Sequence, residues 1–199
     1  MPRLSDARLP AEPSSEGQKA RYQRIIEVAI TLGSKFDFEH VQMQDVAADA
    51  EVAIATLYRY FPSKVHLFVA VMRSFVNEVD SEQIVPVLGQ SPAEAAGDLL
   101  VRMTEQLNHH RQLSLSMIQS MIFVESLENA DREEIKGVFQ DIILRLAGWR
   151  GAPTEEQHRR AWLLTQCWFG VLMMVLNRSR TPELAEADIR RACELLLTE

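Results

Sequence analysis

Apolar side chains recur every three or four positions along nearly the whole chain from Gln18 onward. Nowhere do they alternate at any length with the period of a half-buried strand. Ile25, Ile26, Ala29, Leu32 and Phe36 mark one face of a first helix. Asp37 follows, one of the few non-glycine types that tolerate a left-handed turn. A short helix is predicted from about Met43 to Ala50, then a break at Glu51-Val52-Ala53, then a second short helix over Ile54–Tyr60. Pro62 stops that helix, and Ser63 is placed to cap a longer one from Lys64. Ser91-Pro92-Ala93-Glu94 carries a capping-box signature that opens a helix reaching about His110. Leu113–Leu127 forms the next apolar helix. Asp131, Glu133 and Glu134 fall in the first turn of another, where the helix dipole favours carboxylates. Gly148 and Gly151-Ala152-Pro153 punctuate its end; Glu155–Asn177 is a long helix, and Thr181-Pro182-Glu183 starts a last one ending near Leu197. The pattern predicts an all-α protein of about nine helices.

Residues 1–18 lack this periodicity and contain Pro2, Pro10, Pro13 and Ser14-Ser15-Glu16-Gly17, so a mobile N-terminal arm is expected there. Arg3 and Arg8 give it two cations able to touch a polyanion.

Composition narrows the function more than the fold. A net charge of −7 rules out a generally basic, histone-like binder. Cys167 and Cys193 are too few for a disulfide scaffold and too far apart for a CxxC knuckle, and free thiols fit a reducing cytoplasm. Ala161–Leu176 is almost continuously apolar but only 16 residues long. It contains Thr165 and Gln166 and is flanked by arginines. A membrane span needs about 20 residues, so a buried helix is expected and no membrane partner. The chain has no glycine-rich phosphate loop, no HExxH and no nucleophile with a nearby base in sequence, which disfavours an enzyme. His109 and His110 point about 100° apart on a helix and do not make a metal site. No metal or cofactor is expected.

Gln42 to Lys64 carries the chemistry. Two short helices joined by a tight turn, with Ala47, Ala48 and Ala50 for close crossing, are how a helix-turn-helix is built. Val46, Val52, Leu57 and Phe61 supply its small core. The candidate DNA contacts are Gln44, Ile54, Ala55, Thr56, Tyr58, Arg59, Tyr60 and Lys64. Small residues allow close approach to a major groove, arginine suits guanine edges or phosphate, and tyrosine hydroxyls suit phosphate. Lys19, Arg21 and Arg24 are expected to gather on the same face as Arg59 and Lys64. On periodicity alone a plain helical hairpin with core aromatics fits equally well. A protein-only helical adaptor is a further alternative.

The words themselves are more specific. TLYRYFPSK (Thr56–Lys64), preceded by an alanine-rich helix and turn, resembles the TetR family of one-component transcriptional regulators. The resemblance extends upstream to RIIEVA (Arg24–Ala29) and downstream to Leu67 and Phe68. Glu51 stands where many members have a turn glycine, Ala53 where Ser or Thr usually caps the reading helix, Ala55 where glycine is common, and Asp37 at another usual glycine. A narrower similarity, in VQM (Val41–Met43), Val52–Leu67 and PTEEQ (Pro153–Gln157), is to the actinobacterial KstR group. Its members repress steroid and cholesterol catabolism genes and are released by steroid acyl-CoA thioesters.

The resemblance implies three segments: the arm at 1–18, a helix-turn-helix DNA-binding domain at 19–66, and a ligand-binding and dimerisation domain at 67–199. It further implies a homodimer on a palindromic DNA operator and a hydrophobic small-molecule effector. The helix Glu155–Asn177 is apolar on two stripes and must be buried on both sides. Leu164, Trp168, Val171 and Val175, with Ile189 and Leu196 of the last helix, are expected at the dimer interface. Met103, Leu107, Met117, Met121, Phe123, Trp162, Gln166, Phe169 and Met173 are expected to line an effector cavity, because methionine adapts to irregular ligands. Residue by residue, core filling is as good an explanation of that set.

Overall fold

The computed structural model describes residues 11–81, 89–124, 140–145, 147, 149 and 152–198. Among them are nine helices and no strand. In chain order these are α1 (Glu16–Lys35), α2 (Met43–Asp49), α3 (Ile54–Tyr60), α4 (Lys64–Ser81), α5 (Pro92–His109) and α6 (Arg111–Val124). After them come α7 (described over residues 140–145), α8 (Glu155–Leu176) and α9 (Pro182–Leu197). The expected acidic first turn at Asp131, Glu133 and Glu134 lies outside the described residues.

The local chemistry explains most boundaries. Ser15 accepts from the Gln18 amide and caps α1, so helix begins at Glu16. Ser91 and Glu94 close a full capping box on α5, and Thr154 and Gln157 do the same on α8. The Ser63 hydroxyl accepts from the His66 amide in the first turn of α4. Asp37 does not make the left-handed turn: α1 ends on extended backbone at Phe36, and the Asp37 carboxylate accepts from the His40 amide. The left-handed conformation appears instead at Glu51, with φ 53°.

The described residues fall into two compact units, one within Met1–Ser74 and Gln112–Glu128, the other within Phe75–Arg111 and Asn129–Glu199. The division passes through α4, and most of α6 belongs to the first unit.

The first unit buries Ile25, Ile26, Ala29, Val46, Leu57, Phe61, Leu67 and Phe68. Its tightest point is Gly33 on α1, where a Cβ atom would lie 2.7 Å from the Phe68 ring and 2.9 Å from Leu113 on α6. Only glycine admits that approach. In the second unit α9 packs against α5 and α8. Its core includes Ala96, Leu100, Met103, Leu164, Trp168, Leu172, Ile189 and Cys193. Arg190 on α9 pairs with Asp98 on α5 at 2.7 Å, its stem lying 3.5 Å from the position of a Gly97 Cβ.

Candidate nucleic-acid interface

The turn between α2 and α3 is closed by backbone. The Glu51 amide donates to Ala48 and the Val52 amide to Ala47. Arg24 reaches across from α1 and donates to the Ala50 carbonyl at 2.9 Å, satisfying the end of α2. α3 has no side-chain cap: Ala53 stands at its N-cap. Buried Leu57 and Tyr60 hold α3 to the core, so its remaining positions turn outward. Tyr22 of α1 braces this side, its ring 4.8 Å from Phe61 and 5.7 Å edge-on from Tyr60.

The outward face carries Ile54 (40% exposed), Ala55, Tyr58 (47%) and Arg59, with Thr56 half-buried at its edge and Gln44 exposed on α2. Two expected contacts are placed otherwise. Tyr60 is 1% exposed, because it falls three residues after buried Leu57 on the same side of α3 and packs edge-on against the Tyr22 ring. Its hydroxyl accepts from Arg59 Nη2 at 2.9 Å, so it orients an outward residue without facing outward itself. Lys64 donates to the carbonyls of Glu39 and Val41 at 3.1 and 3.0 Å and lies over the Phe38 ring. It fastens α4 to the segment before α2, and burial pushes its pKa down.

The expected basic face is therefore thinner than the sequence suggests. Arg24 and Lys64 bond to backbone, Lys19 pairs with Glu16 at 2.8 Å, and Arg21 donates to the Gly17 carbonyl. Arg59 is the cation that α3 itself presents.

The long helix corrects the expectation drawn from its stripes. Leu164, Trp168, Val171 and Val175, expected at a dimer interface, are buried inside the second unit, as is Ile189; Leu196 is half-buried. Trp168 donates its indole N–H to the Leu100 carbonyl and the Thr104 hydroxyl of α5, which fixes that stripe inward. Of the expected cavity residues, Trp162 is 52% exposed, Gln166 is exposed, and Phe169 and Met173 are half-buried. Met103 and Leu107 lie in the second unit's core and Met117 in the first unit's, while the side chains of Met121 and Phe123 lie outside the described residues.

A further outward side of α8 carries Leu163, Cys167, Gly170 and Met174, and Leu184 and Leu195 are exposed on α9. Leu163, Gly170 and Met174 recur at helical spacing in the sequence, which was the available signal. A Cβ added at exposed Gly170 would meet nothing in its own subunit within 4 Å.

Two family models match the chain. The model "Bacterial regulatory proteins, tetR family" covers residues 25–71 and "Tetracyclin repressor-like, C-terminal domain" covers residues 89–196. The HTH-type transcriptional repressor KstR of Rhodococcus jostii is 33% identical over 92% of this chain and 86% of that protein. KstR of Mycobacterium tuberculosis is 28% identical over 94% of this chain and 85% of that protein. Among solved structures, a TetR transcriptional regulator from a Rhodococcus species superposes with a TM-score of 0.82 at 44% identity, covering 92% of this chain and 98% of that one. Thermus thermophilus FadR, in complex with lauroyl-CoA, shares the fold with a TM-score of 0.65 at 16% identity, over 88% of this chain and 93% of that one.

Proposed function

The chain belongs to the TetR family of bacterial transcriptional regulators, and from that premise we propose that it is a homodimeric repressor of a palindromic operator, released by a hydrophobic effector. The observation that carries this is α3. Leu57 and Tyr60 anchor it while Ile54, Ala55, Tyr58 and Arg59 form an outward face of small, aromatic and cationic side chains. Such a face suits a major groove better than solvent.

One helix of seven residues reads few base pairs, so two copies are needed. The exposed apolar positions Leu163, Gly170, Met174, Leu184 and Leu195 supply the face for a second copy. Small Gly170 at its middle allows α8 to approach its symmetry mate closely. The expected DNA contacts then reduce to Gln44, Ile54, Ala55, Thr56, Tyr58 and Arg59. Tyr60 and Lys64 act as positioning residues.

The KstR relatives make a steroid-derived acyl-CoA thioester the first effector to try. α4 continues from one unit into the other and is the element through which effector binding would act on α3. Coupling of this kind requires the effector to bind the free protein more tightly than the operator complex. Function of this kind places the protein in the cytoplasm; among the described residues no helix is long and apolar enough to cross a membrane.

Titrating a labelled operator duplex complex with a steroid-derived acyl-CoA, lauroyl-CoA and coenzyme A tests the effector. Release by the steroid thioester alone supports this assignment. Release by lauroyl-CoA alone would move the protein to fatty-acid control. No release by any would overturn the thioester assignment.

A further inference from the structure

We propose that Ile54 is a specificity-determining residue that reads a thymine methyl group in the major groove, so that each operator half-site carries an A·T pair recognised by that methyl and not by a hydrogen bond. This inference rests on the operator-binding function proposed above. Two local rules are broken side by side in the leading turn of α3. Its N-cap is Ala53, with no side-chain hydrogen bond, where a serine, threonine or aspartate would satisfy a backbone amide. Ile54 stands three and six residues before Leu57 and Tyr60, in the register of the buried side of the helix. Yet it is 40% exposed, while Leu57 and Tyr60 are 0% and 1% exposed. Giving up a cap and leaving an isoleucine in solvent does nothing for the free subunit, and such breaches of local rules concentrate at functional positions.

The chemistry of this edge selects its partner. Ala53, Ile54 and Ala55 are consecutive, exposed and without a side-chain donor or acceptor. The Ala53 carbonyl is already taken by the amides of Thr56 and Leu57 at 2.8 and 3.2 Å. These side chains therefore offer a duplex hydrocarbon alone. A phosphate or a guanine edge finds no partner in them, whereas the C5-methyl of thymine is the hydrocarbon group that a base pair displays in the major groove. Small Ala53 and Ala55 on either side let the branched Ile54 side chain approach the base edges. The polar reading group lies further along α3: the Arg59 guanidinium is held by the Tyr60 hydroxyl at 2.9 Å and lies 4.8 Å from the centre of that ring. Ile54 and Arg59 are separated by a rise of about 7.5 Å along the helix, so methyl reading and hydrogen bonding fall on different base pairs.

The test uses the full chain and a duplex recovered by in vitro selection with the wild-type protein. Thymines of the recovered motif are replaced by deoxyuridine, one symmetric pair at a time. Each replacement removes a methyl group and keeps every hydrogen bond of the base. One pair should weaken wild-type binding by about four-fold per half-site, or about fifteen-fold for both, the effect of returning one buried carbon group to water. In Ile54→Ala the same replacement should cost less than about two-fold, because the partner of the methyl is already gone. Ile54→Ala should also bind the thymine duplex more weakly than wild type, with its circular dichroism unchanged. The deoxyuridine arm alters only the DNA, so it reads the contact whatever the variant does to folding. A motif without symmetric thymines, no replacement that weakens wild-type binding, or a loss that persists in full in Ile54→Ala would overturn the inference and leave the operator-binding function standing. If the wild type selects no duplex, that function itself fails and takes this inference with it.

Discussion

The indole N–H of Trp168 on α8 donates to the Thr104 hydroxyl of α5 at 2.9 Å, in a site where both side chains are buried. That bond decides which way the long helix faces. With Trp168 committed to α5, the opposite side of α8 carries Leu163, Gly170 and Met174 outward, and that side is the one proposed to meet a second copy.

Trp168→Phe should therefore destabilise the subunit by about 1–2 kcal/mol, the cost of leaving buried acceptors without their donor. Trp168→Ala should cost about 3–5 kcal/mol. Urea unfolding at fixed protein concentration measures both, and loss of association at unchanged subunit stability would place Trp168 at the interface after all.

Leu163→Arg and Gly170→Arg should behave in the opposite way. Each sets a charge into the apolar face and should convert dimer to monomer in sedimentation equilibrium, with helical content by circular dichroism unchanged. A persistent dimer would reassign the interface.

At the reading head, Arg59→Ala should cost about 1–3 kcal/mol of operator affinity and relax sequence preference, with dimerisation intact. Tyr60→Phe removes the acceptor that orients Arg59 and should weaken binding in the same direction by a smaller factor, because the ring still fills its buried place. Competition binding against a mutated operator separates the two effects. A Tyr60→Phe loss as large as that of Arg59→Ala would mean a direct contact.

Glu51 holds φ 53° in the turn. Glu51→Gly relieves a left-handed penalty of about 1–2 kcal/mol, partly offset by the entropy glycine loses on folding. A net gain of up to about 1 kcal/mol, or roughly 2–4 °C in Tm, is expected. Thermal denaturation checks it, and a lower Tm would show that the Glu51 side chain stabilises the turn in another way.

Asp98 gives a pH dependence. The Arg190 hydrogen bond, aided by Gln90, holds its carboxyl below the ordinary value of 3.8 against the opposing effect of burial. A depressed carboxylate contributes stability that is fully present above its unfolded value and is lost as pH falls through the folded one. Both side chains are more than a third exposed, so screening limits the contribution to about 1 kcal/mol. Asp98→Asn should lower stability at neutral pH by about that amount, and the difference from wild type should shrink below pH 3.8. A constant difference across acid pH would assign the effect to packing.

Helix existence was legible in the sequence because caps and periodicity are local. Ser91 and Glu94 were matched to the residue, and Ile54–Tyr60 was bounded by its break and Pro62. Facing was not legible, because a helix apolar on several sides offers no local reason to prefer one. The Trp168 stripe and its alternatives carry similar side chains, and only contact with α5 separates them. Lys64 misled for a related reason: a lysine next to a reading helix suits phosphate, yet two carbonyls 23 and 25 residues upstream claim it. Tyr60 carries a hydroxyl suited to phosphate but spends it on Arg59.

Selection from random duplex DNA by the purified protein at physiological salt tests the central claim most directly. The account predicts one palindromic motif whose half-sites lie about one helical turn apart, or a small multiple of it, bound by two copies of the chain. Enrichment of no motif, or of a single half-site bound by one copy, would contradict it.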